Sequence, residues 1–327
     1  MQACYFSSSK EGITVGEQIN GVSFVASRDS VAQPDIDQLL EINTTWVSIM
    51  PYAFAPNHKG DLYYNNQRQW WGESQAGVAH TISLIHANGL KVMLKPQVWM
   101  RNGAYTGKFT TSSESEWELF EANYRNYILE FANLADSMKV ELFCIGTEWE
   151  AFIQQRPAYW SGLIKEIRTI YKGRLTYAAN WDEFTGTPFW DQLDFIGIDA
   201  YFPLSDLEEP EMVELVKAWS PHIKRIEKFS TVLNKPVLFT EYGYRSIPYT
   251  AKEPWNASKS EAISLQAQVT AYEALYASAW NKPWMAGGFV WKWYHHHYKS
   301  GGESDSGFTP QNKPVEGVIR DQYFKNN

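Results

Sequence analysis

Residues 143–150 read FCIGTEWE. An apolar run ends in Gly146 and Thr147, and two carboxylates, Glu148 and Glu150, then flank Trp149. Side chains alternate faces along a strand. Cys144, Gly146 and Glu148 are therefore expected on one face, and Phe143, Ile145 and Thr147 on the other. The small-residue face suits the crowded interior of a closed sheet, which points Glu148 inward at the carboxyl end of its strand. Glu150 falls one step beyond the strand, as a loop or helix-start carboxylate.

Seven similar runs surround this one: GVSFVAS (21–27), TTWVSIMPY (44–52), LKVMLKPQVW (90–99), RLTYAANW (174–181), DFIGIDAYF (194–202), KPVLFTEYG (235–243) and GGFVWKWY (287–294). Between them lie segments with apolar residues at i, i+3 and i+4, such as 117–135 and 213–229. A further helix is expected over 258–280, opened by a Ser-x-x-Glu capping box at Ser258 and Glu261. Short apolar strands flanked by helices are the mark of parallel strands buried on both faces. Eight such units predict an α/β protein with a (β/α)8 TIM barrel. A doubly wound sheet competes, but no G-x-G-x-x-G turn follows the first strand. A single barrel domain over 21–327 is expected, preceded by a flexible N-terminal extension over 1–20.

The 327 residues carry a formal net charge of −8, which argues against nucleic acid as a partner. No run approaches the length of a membrane span. Cys4 and Cys144 are the only cysteines; a disulfide is not expected, and two thiols exclude a thiolate metal site. With 15 Trp, 19 Tyr and 17 Phe, aromatic rings must supply much of the core. Many stand beside Asn, Asp, Glu or Gly, as in QWWGES and NWDEF, a mixture suited to the flat faces and hydroxyl edges of sugars.

In KPVLFTEYG, alternation groups Val237, Phe239 and Glu241, so Glu241 matches Glu148 across the barrel mouth, at the end of strand seven. Two opposed carboxylates fit hydrolysis of a glycosidic bond, in which one protonates the leaving oxygen and the other attacks or activates water. The acid must keep its proton near neutral pH, which an apolar pocket arranges; Trp149, Trp181 and Trp291 are candidates to build it. A salt-bridged strand end explains either glutamate alone, but not both together.

The motifs IGTEWE, NWDEF, DFIGIDAYFPL, FTEYGYRS and GFVWKWY resemble clan A of the glycoside hydrolases and, within it, glycoside hydrolase family 113, over roughly residues 21–296. The resemblance implies a retaining β-mannanase with Glu148 as acid/base and Glu241 as nucleophile. It further implies that Tyr201 hydrogen-bonds the nucleophile and that Trp291 is the platform beneath the cleaved sugar. One departure stands out: the clan usually places Asn before the acid/base, where it contacts the sugar 2-hydroxyl, and this chain has Thr147.

Further substrate-binding candidates follow from position. Asp199 shares a face with Tyr201 and either lines the cleft or is a buried structural carboxylate. Asn180, Trp181 and Asp182 end strand five, where they either bind hydroxyls or cap a turn. Lys95, Gln97 and Trp99 alternate along strand three; an inward lysine needs a substrate or carboxylate partner. Trp70 and Trp71 either form outer stacking surfaces or pack the next helix. His295, His296 and His297 are read as loop histidines, one of them contacting sugar; no metal and no cofactor are expected. The expected partner is β-mannan or a related oligo- or polysaccharide, acted on by a monomer; a place outside the cytoplasm suits a polymer and is favoured over the cytoplasm, which an oligosaccharide substrate permits. Another β-glycan such as glucan or xylan, a mainly transglycosylating enzyme, and a non-catalytic sugar-binding barrel are the competing readings.

Overall fold

The computed structural model describes residues 16–258, 260 and 262–325. Cys4 and the Glu261 half of the expected capping box lie outside them. Eight parallel strands close a barrel: β1 (Ile19–Phe24), β2 (Trp46–Ile49), β4 (Lys91–Leu94), β6 (Leu142–Thr147), β7 (Arg174–Asn180), β8 (Ile196–Asp199), β9 (Val237–Tyr242) and β10 (Met285–Trp293). The last pairs with the first, Ile19 opposite Gly287. Ile19 and Asn20, expected in the extension, open β1. The apolar runs at 44–52 and 90–99 each break at a proline, Pro51 and Pro96, which cannot donate to a ladder. Beyond the breaks, β3 (Tyr52–Ala55) and β5 (Gln97–Met100) pair as a separate two-stranded parallel sheet above the barrel.

Helices fill the crossovers and cover the barrel: α1 (Gln33–Glu41), α2 (Gln75–Ala87), α3 (Glu114–Ser137), α4 (Glu150–Gln155), α5 (Pro157–Ile170), α6 (Met212–Leu233), α7 (Leu265–Leu275) and α8 (Pro314–Lys325). The helix expected from Ser258 starts seven residues later. Its N-cap is Ser264, whose hydroxyl accepts from Ala267 N at 3.2 Å. Unpaired helix-start amides need such an acceptor, and Ser264 meets that need.

The core has two layers. Ile19, Trp46, Met93, Leu142, Cys144, Ala178, Phe195, Leu238, Ala286 and Phe289 form one buried cluster. It holds no helical residue, so it is the barrel interior, packed with side chains as this fold requires. The larger cluster lies between strands and helices and holds Phe143, Ile145, Trp149, Val237 and Phe239.

That division shows where simple alternation fails. In β6, Cys144 faces inward and Ile145 outward as expected, but three residues of β6 span two of β7: Cys144 pairs with Thr176 and Thr147 with Ala178. Gly146 consequently turns outward; a Cβ there would stand 2.7 Å from the Tyr124 hydroxyl and 2.9 Å from the Trp160 ring. Its small size accommodates the helices, not the lumen. In β9, Val237 and Phe239 face the helices while Leu238 fills the lumen. An extra residue against β8, with Ile198 opposite Phe239 and Asp199 opposite Glu241, then brings both Thr240 and Glu241 inside. A β-bulge re-aims side chains in this way. Both glutamates reach the mouth as expected, by an irregularity that alternation does not contain.

Candidate active site

The carboxyl ends of the strands open into a cavity of about 760 Å³ lined by Glu148, Glu241, Asp199, Tyr201, Gln97, Thr147 and a ring of aromatic side chains. Glu241 is held firmly there. Its Oε1 accepts from Lys95 Nζ at 2.6 Å and from Gln97 Nε2 at 3.1 Å, and its Oε2 accepts from the Tyr201 hydroxyl at 2.8 Å. Lys95 is fully buried and finds a second carboxylate in Asp199, 3.2 Å away. Burial opposes its charge, but Asp199 and Glu241 outweigh it and keep the ammonium protonated. The inward lysine thus has carboxylate partners.

Asp199 is buried at the centre of this group. Its Oδ1 also accepts from Thr240 Oγ1 at 2.7 Å, while Oδ2 has no partner among the described residues. Burial and the neighbouring Glu241 raise its pKa to about 7, against the pull of Lys95. One lysine between two buried carboxylates compensates one of them, and Asp199 is the one left close to protonation.

Glu148 stands in a different setting. It has φ +53°, in the left-handed region that non-glycine residues seldom occupy, and its amide donates to Ala178 O at 2.8 Å. Among the described residues, no side chain hydrogen-bonds its carboxylate. Burial, then the charges of Asp199 and Glu241, push its pKa well above the carboxylate range. The same turn sends Trp149 away from the cavity. Expected beside the acid, it is buried behind it, packed edge-on against Phe109, Phe120, Tyr124 and Phe152, with its amide donating to the Tyr177 hydroxyl at 2.6 Å. Glu150 begins α4 and is exposed.

The walls hold most of the other expected residues. Trp291, Trp181, Asn180, Asp182 and Trp99 all line the cavity. Trp181 stacks on Trp255 with ring centroids 5.6 Å apart and planes at 17°. Asn180 donates to the Tyr105 hydroxyl at 3.1 Å, and its own carbonyl accepts from Trp181 N at 3.0 Å; it both caps the turn and lines the cleft. Asp182 is exposed at the rim. Thr147 Oγ1 is buried without a hydrogen-bond partner among the described residues.

Gln97, read on one face with Lys95 and Trp99, also lines the cavity, as do Tyr52, Tyr105, Trp255 and Phe308, which sequence reasoning did not select. Tyr105 and Trp255 lie on the segments that follow β5 and β9, the end at which barrel sites are built. The three consecutive histidines do not line this cavity. His296 Nδ1 lies 3.4 Å from Asp35 and His297 Nε2 2.9 Å from Glu316, so surface carboxylates hold them away from the mouth. Among the described residues, no group of three or more His, Cys, Asp or Glu is arranged to hold a metal ion.

Comparison with known proteins adds to this geometry. The Glycoside Hydrolase Family 113 profile matches residues 25–313. No curated protein matches the chain. Among solved structures, the GH113 β-mannanase AaManA from Alicyclobacillus acidocaldarius superposes with a TM-score of 0.84 at 24% identity, covering 95% of this chain and 98% of that one. A GH113 β-1,4-mannanase solved as a complex gives 0.82 at 23% identity, covering 94% and 99%. A Faecalibacterium prausnitzii β-glucuronidase gives 0.63 at 16% identity, covering 94% of this chain and 49% of that one. At these identities the structural likeness is one of fold.

Proposed function

We propose that this chain, which belongs to glycoside hydrolase family 113, hydrolyses β-1,4-mannosidic linkages by double displacement, with Glu241 as nucleophile and Glu148 as acid/base. The observation that carries the assignment is the contrast between the two carboxylates. A nucleophile must be ionised and aimed; Glu241 accepts three hydrogen bonds, one from a charged lysine. A general acid must arrive protonated; among the described residues no side chain donates to the Glu148 carboxylate, and burial holds its proton.

Glu241 attacks the anomeric carbon while Glu148 protonates the departing oxygen, leaving a glycosyl ester on Glu241 and an ionised Glu148. Glu148 then takes a proton from water, and the resulting nucleophile cleaves the ester with net retention. Tyr201 keeps Oε2 in place throughout. The sugar 2-hydroxyl is carried by the carbon next to the attacked one and so passes beside the nucleophile. Gln97, whose amide already reaches Glu241 Oε1, is the neutral side chain placed to bind it in a chain that has Thr147 before the acid/base. The two similar structures are β-mannanases, which supports mannan as the substrate.

The test is to incubate the enzyme with mannan, glucomannan, xylan and cellulose oligosaccharides and follow the first-formed anomer by NMR. Cleavage of mannosyl linkages with an initial β-anomer is expected. An initial α-anomer would overturn the mechanism, and preference for xylan or cellulose chains would overturn the substrate.

A further inference from the structure

Beside the catalytic cavity lies a second one of about 720 Å³, and Tyr52 and Trp99 line both. Its floor is the two-stranded sheet that the prolines split from the barrel. Tyr52 pairs with Gln97, Ala53 with Val98, Phe54 with Trp99 and Ala55 with Met100. The alternation here is strict: Ala53, Val98, Ala55 and Met100 are buried beneath, while Tyr52, Gln97, Phe54 and Trp99 share the upper face. That face starts at Gln97, bonded to Glu241, and two residues onward, a step of roughly 7 Å, reaches the Phe54–Trp99 pair. Tyr63 extends it through an antiparallel bridge to Phe54. Trp70 forms a side wall; Arg28, outside the cavity, lies 4.8 Å from its ring centroid.

These rings are open to solvent: Phe54 is 40% exposed, Tyr63 53%, Trp70 41% and Trp99 55%. Among the described residues, the three exposed tryptophans are Trp70, Trp99 and Trp255, and each lines one of the two cavities. Contiguous exposed aromatics mark a binding surface. The polar lining is Asn66, Arg68, Gln69 and Glu73, one charge of each sign, which matches a neutral, hydroxyl-bearing ligand.

We infer that this groove binds the continuation of the substrate chain, sugar rings stacking along Trp99, Phe54, Tyr63 and Trp70, so that the enzyme grips a long β-linked glycan well beyond the cleaved bond. The inference rests on the glycosidase reading of the adjoining cavity and deepens it: the preferred substrate is a polymer or long oligosaccharide cut internally.

The experiment compares wild type with Trp70→Ala and Tyr63→Ala, neither of which lines the catalytic cavity, on a ladder of manno-oligosaccharides from the shortest cleaved up to polymeric mannan. Each variant is expected to lose about tenfold in kcat/KM on the long substrates, through KM, and nothing on the shortest one. Unchanged activity on long chains overturns the inference, and so does an equal loss on short and long chains. If wild type cleaves none of these substrates, the proposed function fails instead. The groove is then judged by binding of long β-mannan, glucan and xylan chains, followed through tryptophan fluorescence in wild type and Tyr63→Ala; equal affinities for every chain overturn it.

Discussion

The mouths of β6 and β9 end in the same residue type and treat it in opposite ways. At β9, Lys95, Gln97 and Tyr201 converge on Glu241. At β6, the chain turns through a left-handed residue, and among the described residues no side chain donates to the Glu148 carboxylate. Donors stabilise the ionised form and burial penalises it. Burial pushes Glu148 toward its protonated form, whereas three donors fix the orientation of Glu241, the division that the proposed acid and nucleophile call for.

The most severe way to break this contrast is to neutralise each side in turn. Glu241→Gln is expected to reduce kcat by roughly 10⁴-fold or more, with folding intact by circular dichroism. Glu148→Gln should cost about 10²- to 10⁴-fold, and added azide, a nucleophile that needs no deprotonation, should partly restore turnover for that variant alone on an aryl glycoside with a good leaving group. A β-glycosyl azide formed by Glu241→Gln instead would exchange the two roles.

A milder change removes one donor. Tyr201→Phe takes away a hydrogen bond to a charged oxygen, of about 1.5–3 kcal/mol, so kcat/KM should fall by roughly 10- to 100-fold, measured on any cleaved oligosaccharide. Wild-type kinetics would show that Lys95 and Gln97 suffice.

The pH profile sharpens the contrast further. In the proposed mechanism Glu148 acts in its protonated form, so kcat/KM is expected to fall as pH rises through its elevated pKa. Burial is the first cause of that elevation and the charge of Asp199 the second. Asp199→Asn should therefore shift the alkaline limb to lower pH while the Lys95–Glu241 pair survives. Stability offers a second readout. Asp199 has a pKa raised from 3.8 to about 7, so it favours the folded state most at low pH and loses that contribution as pH rises between those values. The variant should lack this slope in urea unfolding, and a parallel slope in both proteins would refute the buried-carboxylate account.

The smallest expected effect concerns the outward bulge beneath Glu148. Gly146→Ala presses a methyl on Tyr124 and Trp160 and should destabilise the fold by about 1–3 kcal/mol, with activity lowered in step with any displacement of Glu148. Stability equal to wild type would mean that the bulge relaxes without cost.

Much of this architecture is readable from residue order because its signals are local. Eight apolar runs separated by helical periods specify a parallel barrel, and each places a carboxyl end near the next. Glu148 and Glu241 stand out because carboxylates rarely end buried runs. Locality also sets the failures. The helix start moved from Ser258 to Ser264, since both offer a hydroxyl and only packing of the turn chooses between them. Trp149 was placed in the cavity because it adjoins Glu148 in sequence, although alternation sets neighbouring residues on opposite faces and packing buries it behind the acid. Gly146 was placed in the lumen because alternation carries no record of a register shift, which exists only once a neighbouring strand is aligned. Trp70 and Trp71 look alike in sequence; in the fold Trp70 faces the outer groove and Trp71 packs edge-on against His80 of α2.

The sequence alone therefore determined the barrel, the two glutamates and the strand ends that carry them, because period and residue type are properties of short segments. Tertiary structure decided how those glutamates reach the mouth and which one holds its proton. Bulges depend on pairing between strands, and a pKa depends on burial and on charges far apart in the chain: Lys95 meets Glu241 across 146 residues. No window of sequence contains that distance.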